Sequence, residues 1–154
     1  MSSFVYLRCR AGDAGKHYLA GDAPGGTGVS LRNKQEPGTI WVMSEYNLTG
    51  IFNLMCAQDA SIFDIGLSPD EPRYLDGNTV TGSVQLSLHT EPPFTGARWL
   101  VTDGPDGSSL FRCQGVEEGA GARLLDGWPG PNTVQLRPDT SFAGTHWEIG
   151  SAEV

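Results

Sequence analysis

Tyr74-Leu75-Asp76-Gly77, followed by Val84-Gln85-Leu86 and then by Gly96-Ala97-Arg98-Trp99, has two counterparts in the same chain. The earlier copy runs Tyr18-Leu19-Ala20-Gly21, Val29-Ser30-Leu31 and Gly38-Thr39-Ile40-Trp41. The later one runs Leu124-Leu125-Asp126-Gly127, Val134-Gln135-Leu136 and Gly144-Thr145-His146-Trp147. Ahead of each copy lies an apolar run with one cysteine in the same slot, Cys9, Cys56 or Cys113. Self-similarity at a period of about 50 residues marks units that cannot each bury an apolar face alone and must stack to do so.

The local pattern within each unit is that of strands. In Val84-Gln85-Leu86 and Val134-Gln135-Leu136 the outer residues point one way and the glutamine the other, so Val and Leu face a core. With 21 glycines and 10 prolines among 154 residues, long helices are excluded and short strands joined by turns are favoured. Three such units, each of about four strands, make an all-β fold, a β-trefoil: a six-stranded barrel capped by three hairpins. Propeller blades are shorter and usually number at least four. The expected organisation is a single domain over residues 1–154, with lobes at about 4–50, 51–109 and 110–154. Trp41, Trp99 and Trp147 are expected in the core, and the three cysteines, without CxxC spacing, as small buried hydrophobes.

Charge narrows the partners. Eighteen acidic against 10 basic side chains give a net charge of −8, which disfavours nucleic acid and anionic membrane surfaces, since both need clustered Lys and Arg. No apolar run is long enough to insert in a bilayer, and no secretory leader is recognisable at the N-terminus. Cytoplasmic residence is the expectation, with a leaderless route as the way out to extracellular glycans. Asn47-Leu48-Thr49 has the form of a glycosylation sequon and is read as chance on the same ground.

From Phe4 to Ile149 the chain resembles the β-trefoil lectins of the ricin-B-like superfamily, on the strength of the Asp-Gly turns, the Val-Gln-Leu strands and the terminal Trp of each lobe. The resemblance implies the trefoil fold and glycan binding by class. Thr39, Ala97 and Thr145 stand where the family's Gln-x-Trp carries its glutamine. His17, Arg73 and Arg123 stand where its sugar-binding carboxylate would fall, so a ricin-like galactose site is not carried over.

Sugar recognition needs a flat apolar face against pyranose C–H groups and fixed donors and acceptors for hydroxyls. Trp128, in a turn ahead of Pro129-Gly130-Pro131, is the best platform, with Asp126 and Asn132 beside it. Asp76 and Asn78 occupy the matching turn of the second lobe, while the first has Ala20 there and Asp22 displaced downstream. Strand alternation also predicts that Ile40, Arg98 and His146, each just ahead of a core tryptophan, are exposed, so that Arg98 and His146 could donate to hydroxyls. The expectation is a non-enzymatic lectin with up to three shallow sites, whose partners are glycans or glycoconjugates. A homodimer stays open. No cofactor or metal is expected, and neither His89 nor the carboxylate pairs Asp70-Glu71 and Glu117-Glu118 form a catalytic set. The interval from Cys56 to Tyr74 exceeds its equivalents, so lobe two carries an insertion around Ser61 to Pro72 with Ile62, Phe63, Ile65 and Leu67. That loop supports the alternative of a trefoil protease inhibitor or protein-interaction module.

Overall fold

The computed structural model describes residues 2–11, 17–23, 25–57, 72–88, 95–115 and 123–152. The inserted loop at 61–72, apart from Pro72, lies outside them, as do His89, Asp70-Glu71 and Glu117-Glu118. The described residues form twelve strands, four in each repeat. Lobe one holds β1 (Ser2–Cys9), β2 (Tyr18–Gly21), β3 (Val29–Arg32) and β4 (Ile40–Glu45). Lobe two holds β5 (Ile51–Cys56), β6 (Tyr74–Gly77), β7 (Val84–Ser87) and β8 (Trp99–Asp103). Lobe three holds β9 (Ser109–Cys113), β10 (Leu124–Trp128), β11 (Thr133–Arg137) and β12 (Trp147–Ser151). No helix among the described residues is long and apolar enough to cross a membrane.

The first and last strands of each lobe build the barrel. β1 pairs with β4, β4 with β5, β5 with β8, β8 with β9, β9 with β12 and β12 with β1, all antiparallel, so the ring closes on itself and leaves no barrel edge. The middle strands form three hairpins, β2–β3, β6–β7 and β10–β11, in equivalent register: Leu19 faces Leu31, Leu75 faces Leu86 and Leu125 faces Leu136.

The hairpins are tied to one another in a cycle. The Leu31 amide donates to the Asn132 carbonyl at 3.1 Å, the Leu86 amide to Thr27 at 2.8 Å and the Leu136 amide to Gly82 at 2.8 Å. Each lobe therefore satisfies a backbone donor of another, and none is self-sufficient.

The repeat's fixed residues meet in the core. Trp41, Trp99 and Trp147 are fully buried, and each indole N–H donates at 2.9 Å to the carbonyl of the hairpin leucine of its own lobe, Leu19, Leu75 or Leu125. A buried indole needs such an acceptor, and each bond adds about 1 kcal/mol beyond the ring's burial. Cys9, Cys56 and Cys113 are free and buried, as expected from their common slot. The Cys9 thiol lies under the lobe-three hairpin, donating to the Gly127 and Gly144 carbonyls at 3.6 Å each, and Cys113 lies likewise under lobe two, against Gly77 and Gly96. Burial pushes both thiols up to about 11.

Close approach explains the glycines that precede and follow this layer. A Cβ at Gly127 would sit 2.9 Å from Cys9 Sγ and 3.2 Å from the Trp147 ring. One at Gly144 would overlap the Gly127 carbonyl and the Asp126 carboxylate.

His17, Arg73 and Arg123 are buried at equivalent points between hairpin and barrel, where their carbonyls accept from the Cys9, Cys56 and Cys113 amides. The Arg73 guanidinium donates to the carbonyls of Asp22, Ala23 and Gly26 at 2.7–3.0 Å, and that of Arg123 to Cys113 and Gly115. Where the ricin-like pattern would set a carboxylate for sugar, lobes two and three of this chain set arginines that bind the chain's own carbonyls.

Candidate functional site

Alternation along the lobe-three hairpin separates two faces. Leu125, Gly127, Val134 and Leu136 turn to the core, and Trp128, Asp126, Thr133, Gln135 and Arg137 turn outward, with Asp126 directly opposite Gln135 and Trp128 opposite Thr133. Trp128 is 55% exposed at the open end of this strip. Four residues of strand, about 13 Å, separate it from the level of Arg137.

Asp126 is only 4% exposed, and its two described hydrogen bonds both fall on Oδ2. It accepts from Gln135 Nε2 in a short hydrogen bond and from Arg137 Nε at 3.2 Å. Burial raises its pKa above the ordinary carboxylate value, and the bonds from Gln135 and Arg137 oppose that shift. A carboxylate so enclosed serves to hold Gln135 and Arg137 in place.

The Arg137 guanidinium stacks at 4.8 Å over the ring of Phe142, itself 40% exposed, and no terminal nitrogen of Arg137 is taken by another described residue. Pinned by a carboxylate at Nε and by a ring beneath it, the guanidinium presents its remaining donors in one orientation, and little rotamer freedom is left to lose on binding. Thr133 Oγ1 donates to Gln135 Oε1 at 3.3 Å, which fixes the amide between Arg137 and Trp128.

The other residues singled out in the sequence lie elsewhere or are spent locally. Asn132 has φ +61° and gives its carbonyl to Leu31, so its place in the turn is set by backbone need. His146 is half-buried rather than exposed, as are Ile40 and Arg98. Its Nε2 is enclosed without a described partner, and its carbonyl accepts from Arg10. Arg98 lies on the Tyr46 ring at 4.8 Å, which accounts for its partial burial. In lobe two, Asn78 Oδ1 caps its own turn by accepting from the Val80 and Thr81 amides, and Asp76 lies against the backbone at Gly96. In lobe one, Asp22 accepts from the Gly28 amide and from Arg32, both at 3.0 Å.

Arg32 is the lobe-one counterpart of Arg137, yet its guanidinium is consumed by Ser30, Pro37 and Asp22. Lobe two has Ser87 at that position. Exposed aromatics with a held, unspent guanidinium between them occur in lobe three only, among the described residues. Of the residues on this face, the sequence names Trp128 and Asp126 as candidates, and not Gln135, Arg137 and Phe142. Period-two alternation from Thr133 to Arg137, with Asp126 opposite Gln135, was the available signal for the first two.

Comparison with solved structures bears on the fold. The designed threefold-symmetric protein ThreeFoil superposes with a TM-score of 0.68 at 17% identity, covering 97% of this chain and 99% of its own. The chain is a β-trefoil. A mosquitocidal holotoxin matches 99% of this trefoil with a TM-score of 0.72 at 14% identity, over 18% of the toxin's own length. No family model and no curated protein matches the sequence of this trefoil.

Proposed function

We propose that this β-trefoil is a carbohydrate-binding protein without catalytic activity, and that it takes its glycan on the outer face of the β10–β11 hairpin. What carries the reading is the Arg137 guanidinium, fixed by Asp126 and Phe142 with its terminal donors unspent, on the same face as the exposed Trp128. Trp128 supplies the apolar platform for a pyranose ring. Arg137 and Gln135 supply donors and an acceptor for paired hydroxyls, and Asp126 orients them. The ricin-B-like resemblance of the repeat supports glycans as the class of ligand. Net charge of −8 supports neutral over polyanionic ones.

An open strip of this kind binds weakly one site at a time. The test is a glycan array with purified protein, followed by titration of the strongest hit against Trp128→Ala and Arg137→Gln. Each variant is expected to weaken binding about tenfold, the equivalent of ~1.4 kcal/mol, with the melting temperature unmoved in Trp128→Ala and lowered in Arg137→Gln, which takes a partner from the buried Asp126. Binding undiminished in both variants, or an array without hits, would sink the proposal.

A further inference from the structure

Where the first lobe meets the last strand, a cleft of about 210 Å³ opens on the outer wall of the barrel, between β1, the start of β2 and β12. Its position follows from register. Arg8 on β1 lies directly across from Glu148 on β12 and from Tyr18 on β2, and Tyr6, two residues back on the same face, lies across from Gly150. Lys34, two residues after β3, completes the rim.

The lining combines an apolar corner with an excess of donors. The Tyr6 and Tyr18 rings meet edge to face at 5.9 Å and 76°, and the Lys34 ammonium lies 4.7 Å over Tyr6. Glu148, the one carboxylate, is already engaged: Oε2 accepts from Arg8 Nη1 at 2.6 Å, and Oε1 faces Arg10 Nε at 3.4 Å. Lys34, the rest of the Arg8 guanidinium and both phenol hydroxyls have no acceptor among the described residues. Two lining cations stand against one carboxylate, in a chain whose net charge is −8.

We infer that this cleft is a second ligand site, for a single sugar residue bearing a carboxylate, of the hexuronic acid class. The volume lies below the roughly 300–1,000 Å³ of sites for drug-sized ligands, which suits one six-membered ring. The excess of one positive charge suits one carboxylate. A polyanion would meet repulsion from the rest of the surface. The tyrosine corner takes the apolar face of the ring, the phenols donate to its hydroxyls, and Arg8 and Lys34 take the carboxylate. The constellation belongs to lobe one: the positions of Tyr6, Arg8 and Glu148 are Asn53, Met55 and Val42 at the next lobe boundary, and Leu110, Arg112 and Leu100 at the third. It shares no residue with the β10–β11 strip, and either site can fail without the other.

The experiment is a titration of ¹⁵N-labelled protein with sodium glucuronate, glucose or acetate, read from amide shifts. Glucuronate is expected to give saturable shifts at Arg8, Gly150 and Ser151, with glucose and acetate each at least about tenfold weaker. Lys34→Gln should weaken glucuronate binding about tenfold. Gly150→Leu should abolish it by filling the cleft, and it keeps the fold because a Cβ there meets nothing within 4 Å. Trp128→Ala should leave it intact. Glucose or acetate shifting the same amides as strongly as glucuronate, no saturable shift, or undiminished binding in Gly150→Leu would each overturn the inference. Shifts confined to the β10–β11 hairpin would overturn it too, while supporting the glycan strip.

Discussion

Replacing Gly127 with alanine puts a methyl group into the tightest layer of the core. Its carbon would lie 2.9 Å from Cys9 Sγ, 3.2 Å from the Trp147 ring and 3.3 Å from Cys9 Cβ, where unstrained contacts between such atoms lie near 3.5–4.0 Å. Both neighbours are fully buried, so neither can swing aside into solvent. Overpacking of this kind costs about 3 kcal/mol at the upper end of its usual range. The lower freedom of alanine in the unfolded chain returns at most about 1 kcal/mol, leaving about 2 kcal/mol of destabilisation. For a chain of this length that lowers the melting temperature by about 4–8 °C.

The source of the cost is identified by a double mutant. Cys9→Ala removes the nearest clashing atom, so Gly127→Ala introduced on that background should cost about 1 kcal/mol less than on the wild type, a coupling within the range for residues in contact. The two sister sites rank the effect. A Cβ at Gly77 lies 2.8 Å from Cys113 Sγ and one at Gly21 lies 3.0 Å from Cys56 Sγ, so Gly77→Ala should be the most damaging and Gly21→Ala the least. Gly150→Ala, with open space around it, should stay within about 0.5 kcal/mol of wild type. Urea melts of the wild type and the six variants measure all of this. Strict additivity of Cys9→Ala and Gly127→Ala, or a Gly127→Ala melt that overlays Gly150→Ala, would refute the packing argument.

The native protein should resist thiol reagents at pH 8, because all three cysteines are buried and Cys9 and Cys113, raised to about 11, hold about a thousandth of their thiol as thiolate there; rapid labelling without denaturant would contradict this. Asp126 has a raised folded pKa, so acidification through that value toward 3.8 should add stability to the wild type relative to Asp126→Asn. A wild type that instead lost ground to the variant over that interval, in paired urea melts, would mean that Arg137 and Gln135 outweigh burial. Arg73→Met leaves the carbonyls of Asp22, Ala23 and Gly26 without their shared donor and should cost at least about 3 kcal/mol in the same assay.

The fold was legible because its determinants recur. Three tryptophans, three cysteines and paired glycines occupy equivalent addresses, and alternation in Val84-Gln85-Leu86 fixes which side faces the core. The candidate site was legible in part. Trp128 stands out as an aromatic in a Gly/Pro turn that its sister lobes lack. Asp126 is a candidate because it lies beside Trp128 in the Asp-Gly turn; its burial follows from the hairpin register, which sets Gln135 opposite it and Arg137 diagonally across. Arg73 and Arg123 read only as missing carboxylates, since the carbonyls that satisfy Arg73 lie some 50 residues away and leave no local pattern. The lobe-one cleft depends on pairing between Arg8 and Glu148, 140 residues apart, which nothing in a linear reading joins.

That same pairing governs how the chain can reach its structure. The barrel seam between β1 and β12 forms only when the two extremes of the described chain meet, and the cycle of Leu31, Leu86 and Leu136 amides closes only when all three hairpins are present. Contact order is therefore high, and closure entropy must be met before the largest gain from burial arrives, which places folding in the slow regime of milliseconds to seconds. A fragment of two lobes should gather strands without acquiring a cap, and unfolding should proceed as one cooperative event.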